Sequence, residues 1–420
     1  MSFQQGLSGL DATSQALDVA GDNIANASTV GFKSSDALFS DVYANSLNGS
    51  GANQVGLGTT LQAIEQNFSQ GSITTTTNPL DLAINGQGFF RVSDNGSITY
   101  TRNGQFQLDA SGFIVDANGN NLTGYPVSAS GNIVTSAPVN LQVSSSTQPP
   151  QTTSEATANL NLDASATAIA VPFNPTDPTT YTNSTSLSVY DSQGFAHTVS
   201  LYFVKTAATN DWNAYATVDG TADTYVNLGS GAGTPAALDF NGSGQLTSAM
   251  PLNVSVDLAG IAAANGSAST ANSPLNFTLD FTGTTQFGSS FSVNSLTQNG
   301  YASGRLTGLS VSGSGVIQGN YSNGQSTALG QVALANFTDP NGLTPLGAGQ
   351  WAETAASGLP QVAAPGTGNL GVLQSAAIEQ SNVDLTTQLV NMITLQRNYQ
   401  ANAESIKTQD TVLQTLVNLQ

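Results

Sequence analysis

Residues 381–420 read SNVDLTTQLVNMITLQRNYQANAESIKTQDTVLQTLVNLQ. Within this stretch Leu385, Leu389, Met392, Gln396, Tyr399, Ala403, Ile406, Asp410, Leu413 and Val417 follow one another at alternating steps of four and three. Eight of these ten are apolar, so the stretch predicts a single helix with a heptad-like stripe. Ser381, Asn382 and Asp384, all good N-cap types, stand just before it. A helix over 384–420 would be roughly 55 Å long, far more than a small domain needs. The opposite end of the chain carries the same signal. Phe3, Leu7, Leu10, Ser14, Leu17, Gly21 and Ile24 repeat the four–three alternation and predict a helix from about Ser2 to Ile24, ending near Asn26, with Gly31 as a stop signal.

Between the two helices the periodicity changes to two. Leu82, Ile84, Phe90 and Val92 predict strands, with Asn85-Gly86 as a turn between them. Asp109-Ala-Ser-Gly112, Asp116-Ala-Asn-Gly119, Asp191-Ser-Gln-Gly194 and Asn323-Gly324 mark further turns at the short spacing of antiparallel β structure. The expected fold is mainly β with α-helical termini: paired long terminal helices forming a coiled-coil-like core, plus two antiparallel β domains, the second inserted in the first. The expected division is 1–33 with 381–420 for the helices, 34–75 for a connecting segment, 76–145 with 291–370 for the first β domain, 146–290 for the second, and 371–380 for a return linker.

Composition narrows the function. Only 8% of the 420 residues are charged and the formal net charge is −19. The seven basic residues, Lys33, Arg91, Arg102, Lys205, Arg305, Arg397 and Lys407, are scattered, so no basic surface exists to bind nucleic acid. With no cysteine, disulfides and thiolate metal sites are excluded. The N-terminus lacks the basic and apolar regions of a secretory signal peptide. No run approaches the roughly 18 apolar residues of a membrane span.

Little of the chain points to catalysis, and no catalytic residue, cofactor or metal is expected. A Ser-His-Asp triad requires His197, the one histidine, which follows a hairpin turn and reads as a strand residue. Gly86-Gln87-Gly88 reads as a hairpin turn rather than a dinucleotide loop, because no helix pattern follows it. Asp116-Ala-Asn118-Gly-Asn120 has the oxygen spacing of a calcium loop but lacks its glycine and terminal glutamate; turn chemistry accounts for it. In the inserted region, Trp212, Tyr202 and Tyr215 would be the platform of a carbohydrate-binding, adhesive β protein, with core aromatics as the simpler account.

The terminal helices point to assembly. Besides its stripe the C-terminal helix carries Val390, Ile393, Leu395, Val412, Leu416 and Leu419. One partner helix cannot cover so wide an apolar surface, and other copies of the chain are the natural cover. The expected polymerisation interface is Phe3, Leu7, Leu10, Leu17, Ile24, Leu385, Leu389, Met392, Tyr399, Ile406, Leu413 and Val417.

Leu7-Ser-Gly-Leu10 and the run Asn23-Ile-Ala-Asn26-Ala-Ser-Thr-Val-Gly31-Phe32-Lys33 resemble the N-terminal signature of bacterial flagellar rod and hook proteins. Ser381-Asn382-Val-Asp384-Leu385 with Gln396-Arg397-Asn-Tyr399-Gln400-Ala-Asn402-Ala resembles their C-terminal signature. Asn85-Gly-Gln-Gly-Phe-Phe90 with Tyr100-Thr-Arg102-Asn-Gly104 is similar to their first β domain. The resemblance implies a non-enzymatic axial subunit exported through the flagellum's own apparatus, without a cleaved signal peptide, to the extracellular hook and basal body. The insertion implies the hook, a curved flexible tube transmitting torque as a universal joint, over a distal rod subunit. The implied partners are further copies of the chain, the distal rod protein, the hook cap, the hook–filament junction proteins and the export apparatus, with no nucleic acid and no membrane insertion.

Overall fold

The computed structural model describes residues 2–42, 56–128, 131–144, 147–265 and 270–418, with the backbone alone for Ser2 and residues 416–418. Three helices occur among them: α1 (Ser2–Ala25), the short α2 (Leu258–Ala264) and α3 (Leu385–Asn418). All other regular structure is β apart from three short 3-10 turns. The chain forms two compact units, Met1–Ser145 with Thr307–Asn320 and Ser326–Gln420, and Ser146–Leu306 with Tyr321–Gln325.

In the first unit α1 and α3 lie side by side, and a β-hairpin rests on α1. That hairpin, β1 (Ser35–Val42) and β2 (Gly58–Gln66), falls in the segment read from sequence as a connection. Its apolar positions are few and its register is broken by a bulge at Leu38/Phe39, which blurs the two-residue alternation. The described part of the Asn45–Gly58 stretch begins at residue 56; the rest of it, and Tyr43, lie outside the described residues.

The unit's main sheet is completed by distant segments. Asn121–Pro126 pairs with β5 (Phe89–Asp94) on one side and Ser326–Val332 on the other. β5 turns through Asn95-Gly96 into Ser97–Thr101, both turn residues having positive φ as a two-residue hairpin requires. Phe89, Tyr100, Phe337 and Trp351 pack edge to face beneath the sheet.

The expected hairpin through Asn85-Gly86 does not form. β4 (Leu82–Asn85) pairs instead with Val372–Ser375, while β3 (Ile73–Thr75) pairs with Ala377–Glu379. Residues 371–380, expected as a linker, are therefore two strands. Their buried positions, Leu373, Ala377 and Glu379, are mostly small or polar, so hydrophobicity does not reveal them. Gly86 serves the close approach of the returning chain: a Cβ there would lie 2.9 Å from Gly371 Cα.

The second unit is a sandwich. One sheet is the antiparallel set Asn183–Tyr190, Ala196–Lys205, Asp211–Val218 and Ala236–Asp239. The other centres on Glu155–Asp163, which runs antiparallel to Ser292–Gln298 and parallel to both Leu275–Asp280 and Thr285–Phe287. The core between them holds Leu160, Val189, Phe203, Trp212, Leu238 and Phe281, each without solvent exposure.

Aspartates build the predicted turns in both units. The Asp109, Asp116 and Asp191 carboxylates each accept backbone N–H groups two and four residues on, at 2.7–2.9 Å. Phe203 meets Phe281 edge to face at 6.0 Å in the sandwich core. Phe203→Ala should therefore destabilise the second unit by about 3–5 kcal/mol, measured by urea unfolding followed through the emission of the neighbouring Trp212.

Candidate functional site

No described cluster of His, Cys, Asp or Glu is fit to hold a metal, and no described helix is long and apolar enough to cross a membrane. The Asp116 carboxylate already accepts Asn118 N, Asn120 N, Asn120 Nδ2 and Gln350 Nε2, so turn chemistry occupies the candidate calcium loop. His197 has Nδ1 2.7 Å from Asp219 Oδ2 and Nε2 3.5 Å from Asp191 Oδ2. Nε2 has no hydrogen-bond partner among the described residues, so no serine hydroxyl is engaged by this ring and no triad is assembled. Trp212 is fully buried, which removes it from any carbohydrate platform. Tyr215 is stacked under Phe173 at 4.2 Å, and Tyr202 lies 5.2 Å from the same ring.

The residues expected to form the polymerisation interface lie on the terminal helices. α1 meets α3 through its small residues rather than its large ones. A Cβ on Gly6 would sit 3.0 Å from the Ile406 side chain, and one on Gly9 would sit 2.9 Å from Asn402 Nδ2. Gly6, Ala12, Ala20 and Asn23 are the buried positions of α1. On α3 the half-buried positions are Gln388, Met392, Leu395, Asn402, Ala403, Ile406 and Gln409, a heptad-like seam one position away from much of the expected stripe. Small side chains let the two backbones come close and leave the large side chains outside the pair. Phe3, Leu7, Leu385, Leu389, Val390, Ile393, Tyr399, Val412 and Leu413 are exposed. Leu10, Leu17 and Ile24 are half-buried, and the Val417 side chain is outside the described set.

The signature residues divide into two groups. Gln396, Arg397 and Gln400 are exposed on α3. Tyr399 is exposed there too, and Asn402 faces Gly9 of α1, while the others gather where the helices meet the rest of the unit. Asn23 is buried; its Nδ2 donates to Ser35 O and its Oδ1 accepts Ser35 N–H, both at 2.8 Å, joining the end of α1 to β1. Asn26 Nδ2 donates to Asp22 at the last turn. Phe32 lines a cleft of about 310 Å³ beside Pro345 and Trp351. Asn382 accepts Ser34 N–H and donates to Asn67 O. Ser381 Oγ accepts Val383 N–H. Asp384 caps α3, accepting the N–H groups of Thr386 and Thr387. Those bonds, Thr387's first, hold its carboxyl below the usual range.

Gly31 is more than a helix stop. It adopts φ +71°, and a Cβ there would be 2.6 Å from Asn103 N, so only glycine lets the chain pass the 102–103 backbone. Its N–H donates to Glu379 O at 2.8 Å. Beside it lies the centre of the unit. Lys33 Nζ is 2.7 Å from Glu379 Oε1 and Arg102 Nη1 is 3.0 Å from Oε2, with all three side chains almost wholly buried. Gly71 N–H also donates to Oε1, Lys33 Nζ donates to Ser69 O, and Arg102 Nη2 donates to Gly86 O. Burial, then repulsion from Arg102, pushes the Lys33 ammonium below its ordinary pKa, against the opposing pull of Glu379. Sequence reasoning did not pick out Glu379. The available signal was Lys33 and Arg102, two of seven basic residues, each lying inside a signature stretch.

Removing one member of such a cluster leaves a buried charge uncompensated. Glu379→Gln should cost about 3–5 kcal/mol, seen as an earlier first-unit transition in urea with the second unit unchanged. The cap gives a pH prediction. A depressed carboxyl stabilises above its unfolded pKa and loses that effect as pH falls through its folded pKa. Amide exchange at Thr386 and Thr387 should therefore accelerate, relative to the helix interior, as pH falls below the ordinary carboxylate range, and Asp384→Ala should abolish this dependence.

Known proteins match the chain in sequence along its whole length. The family described as Flagella basal body rod protein matches residues 3–33, the Flagellar hook protein FlgE/F/G D1 domain matches 83–172, the Flagellar basal body protein FlaE D2 domain matches 159–301, and the Flagellar basal body rod FlgEFG protein C-terminal matches 374–419. The Flagellar hook protein FlgE of Escherichia coli K12 is 41% identical over 425 residues, and that of Salmonella typhimurium LT2 is 40% identical over 424, with all of both chains covered in each case. The Borreliella burgdorferi protein of the same name is 33% identical over 439 residues, covering 100% of this chain and 99% of its own. The chain belongs to the flagellar hook protein FlgE family.

Proposed function

We propose that the chain is the structural subunit of the flagellar hook and polymerises through its terminal helices into a curved tube that passes torque from rod to filament. The observation that carries this reading is the apolar surface left outside the α1–α3 pair. α3 alone exposes Leu385, Leu389, Val390, Ile393, Val412 and Leu413, with Ile393 at 52% and Leu413 at 55%. Each such side chain is worth roughly 1.5–3 kcal/mol when fully buried. Neighbouring copies supply that cover at the tube's inner wall. The β units form the outer layers, where uncharged polar surfaces shift past one another with few ion pairs to break. Among the described residues the ion pairs are few and mostly buried or local, consistent with a surface built for such sliding.

On this reading the subunit leaves the cell through the flagellar export apparatus without a cleaved signal peptide. It meets the distal rod protein at one end of the tube, the cap during growth, and the junction proteins at the filament end. Removing residues 385–420 should abolish tube formation under salting-out conditions while the sandwich unit stays folded by Trp212 emission. Negative-stain electron microscopy reads the outcome. Curved tubes from the full-length chain alone support the hook assignment, straight tubes favour a rod subunit, and tubes from the truncated chain would reject the helices as the assembly element.

A further inference from the structure

Two features of the terminal helices match each other and find no match among the described residues of the chain. The first is a groove of about 620 Å³ between α1 and the Val42/Gly58 end of the β1–β2 hairpin, lined by Leu7, Leu10, Val42 and Leu57 with one carboxylate, Asp11. The second is the ridge of α3 that points away from α1. Val390, Ile393 and Arg397 follow at steps of three and four, so they share one face. All three are exposed, and the half-buried seam residues Gln388, Leu395 and Asn402 lie on the opposite side of the helix. Among the described residues Arg397 has no carboxylate within ion-pair distance, whereas Lys33, Arg102 and Lys407 each have one. Asp11 likewise lacks a described cationic partner and is exposed.

An apolar groove with a single acid complements an apolar ridge with a single base. The ridge cannot reach the groove within its own chain, because α3 presents its other face to α1. We propose that the groove of one copy receives the α3 ridge of a second copy, with Val390 and Ile393 against Leu7, Leu10 and Leu57 and with Arg397 paired to Asp11 of that neighbour. The proposal rests on the polymer reading above and assigns the contact within it. The ion pair sets register: apolar contacts alone let one helix slide or turn along another, and a lone charge pair in an apolar seam selects a single alignment.

The test uses the full-length chain, its charge-reversed variants and electron microscopy of tubes. Arg397→Glu should raise the protein concentration needed for tube formation on the order of fivefold or more, and adding Asp11→Arg in the same chain should restore it. Because the natural chain has no cysteine, a second measurement is clean. Tubes co-assembled from separate Asp11→Cys and Arg397→Cys chains should give disulfide-linked dimers under a mild oxidant, while the same mixture kept below the assembly concentration should not. Arg397→Glu assembling at the wild-type concentration would overturn the pairing and leave the polymer reading intact. So would a defect that Asp11→Arg does not rescue in tubes that give no cross-link. Failure of the unaltered chain to form tubes under any salting-out condition would overturn the polymer reading, and this contact with it.

Discussion

One buried carboxylate holds the first unit together. Glu379 receives Lys33 from the chain leaving α1, Arg102 from the main β structure and the Gly71 N–H from the strand region after the hairpin. Its own backbone lies in a strand that pairs with Ile73–Thr75 and leads into α3. Four segments far apart in sequence therefore meet at one side chain. A hydrophobic contact would hold them together without fixing their alignment. A carboxylate with two cations and an amide in fixed positions is directional, and misplacing any partner leaves a charge buried without compensation. In a chain with 8% charged residues, placing three of them here marks this as the point where geometry is most constrained.

The second constraint is the exchange of large residues for small ones between the helices. A pair sealed by leucines would have satisfied its own apolar surface and left little reason to assemble. Here Gly6, Gly9 and Ala12 face inward or sit buried on α1, so the pair is close but its large side chains remain outside. The protomer thereby keeps a helical scaffold of defined geometry and an unsatisfied apolar surface, the combination a polymer subunit needs. The hairpin on α1 extends that surface with exposed Leu38, Phe39 and Ile64.

Much of this was legible in residue order. The two terminal helices were readable because a four–three alternation sustained over many residues matches the pitch of a helix and of no strand. The cap at Asp384 was readable because its chemistry is local. The turns after Asp109, Asp116 and Asp191 were readable for the same reason, each being an aspartate bonded to amides two and four residues on. The hairpin at 35–66 was not, since half its strand positions are polar and a bulge breaks its period. Nor were the strands at 372–379, whose buried residues include an alanine and a glutamate. The hairpin expected at Asn85-Gly86 failed because the glycines there serve a close approach of distant chain, which looks identical in sequence to a turn.

The sequence by itself determined which segments are helical, how most turns close, and that the helices carry more apolar surface than one partner can cover. These follow from periodicity and from bonds made within a few residues. Only the tertiary structure decided which face of each helix packs against the other. It also decided that β4 pairs with residues near 373 rather than with its neighbour, and that Glu379 is the meeting point of Lys33 and Arg102. Those outcomes depend on the approach of segments about 280 to 400 residues apart, from the separations of 277 and 346 within the charge cluster to Gly6 against Ile406. No local pattern encodes such a separation; it is selected by the cost of burying a charge or a backbone group without its partner.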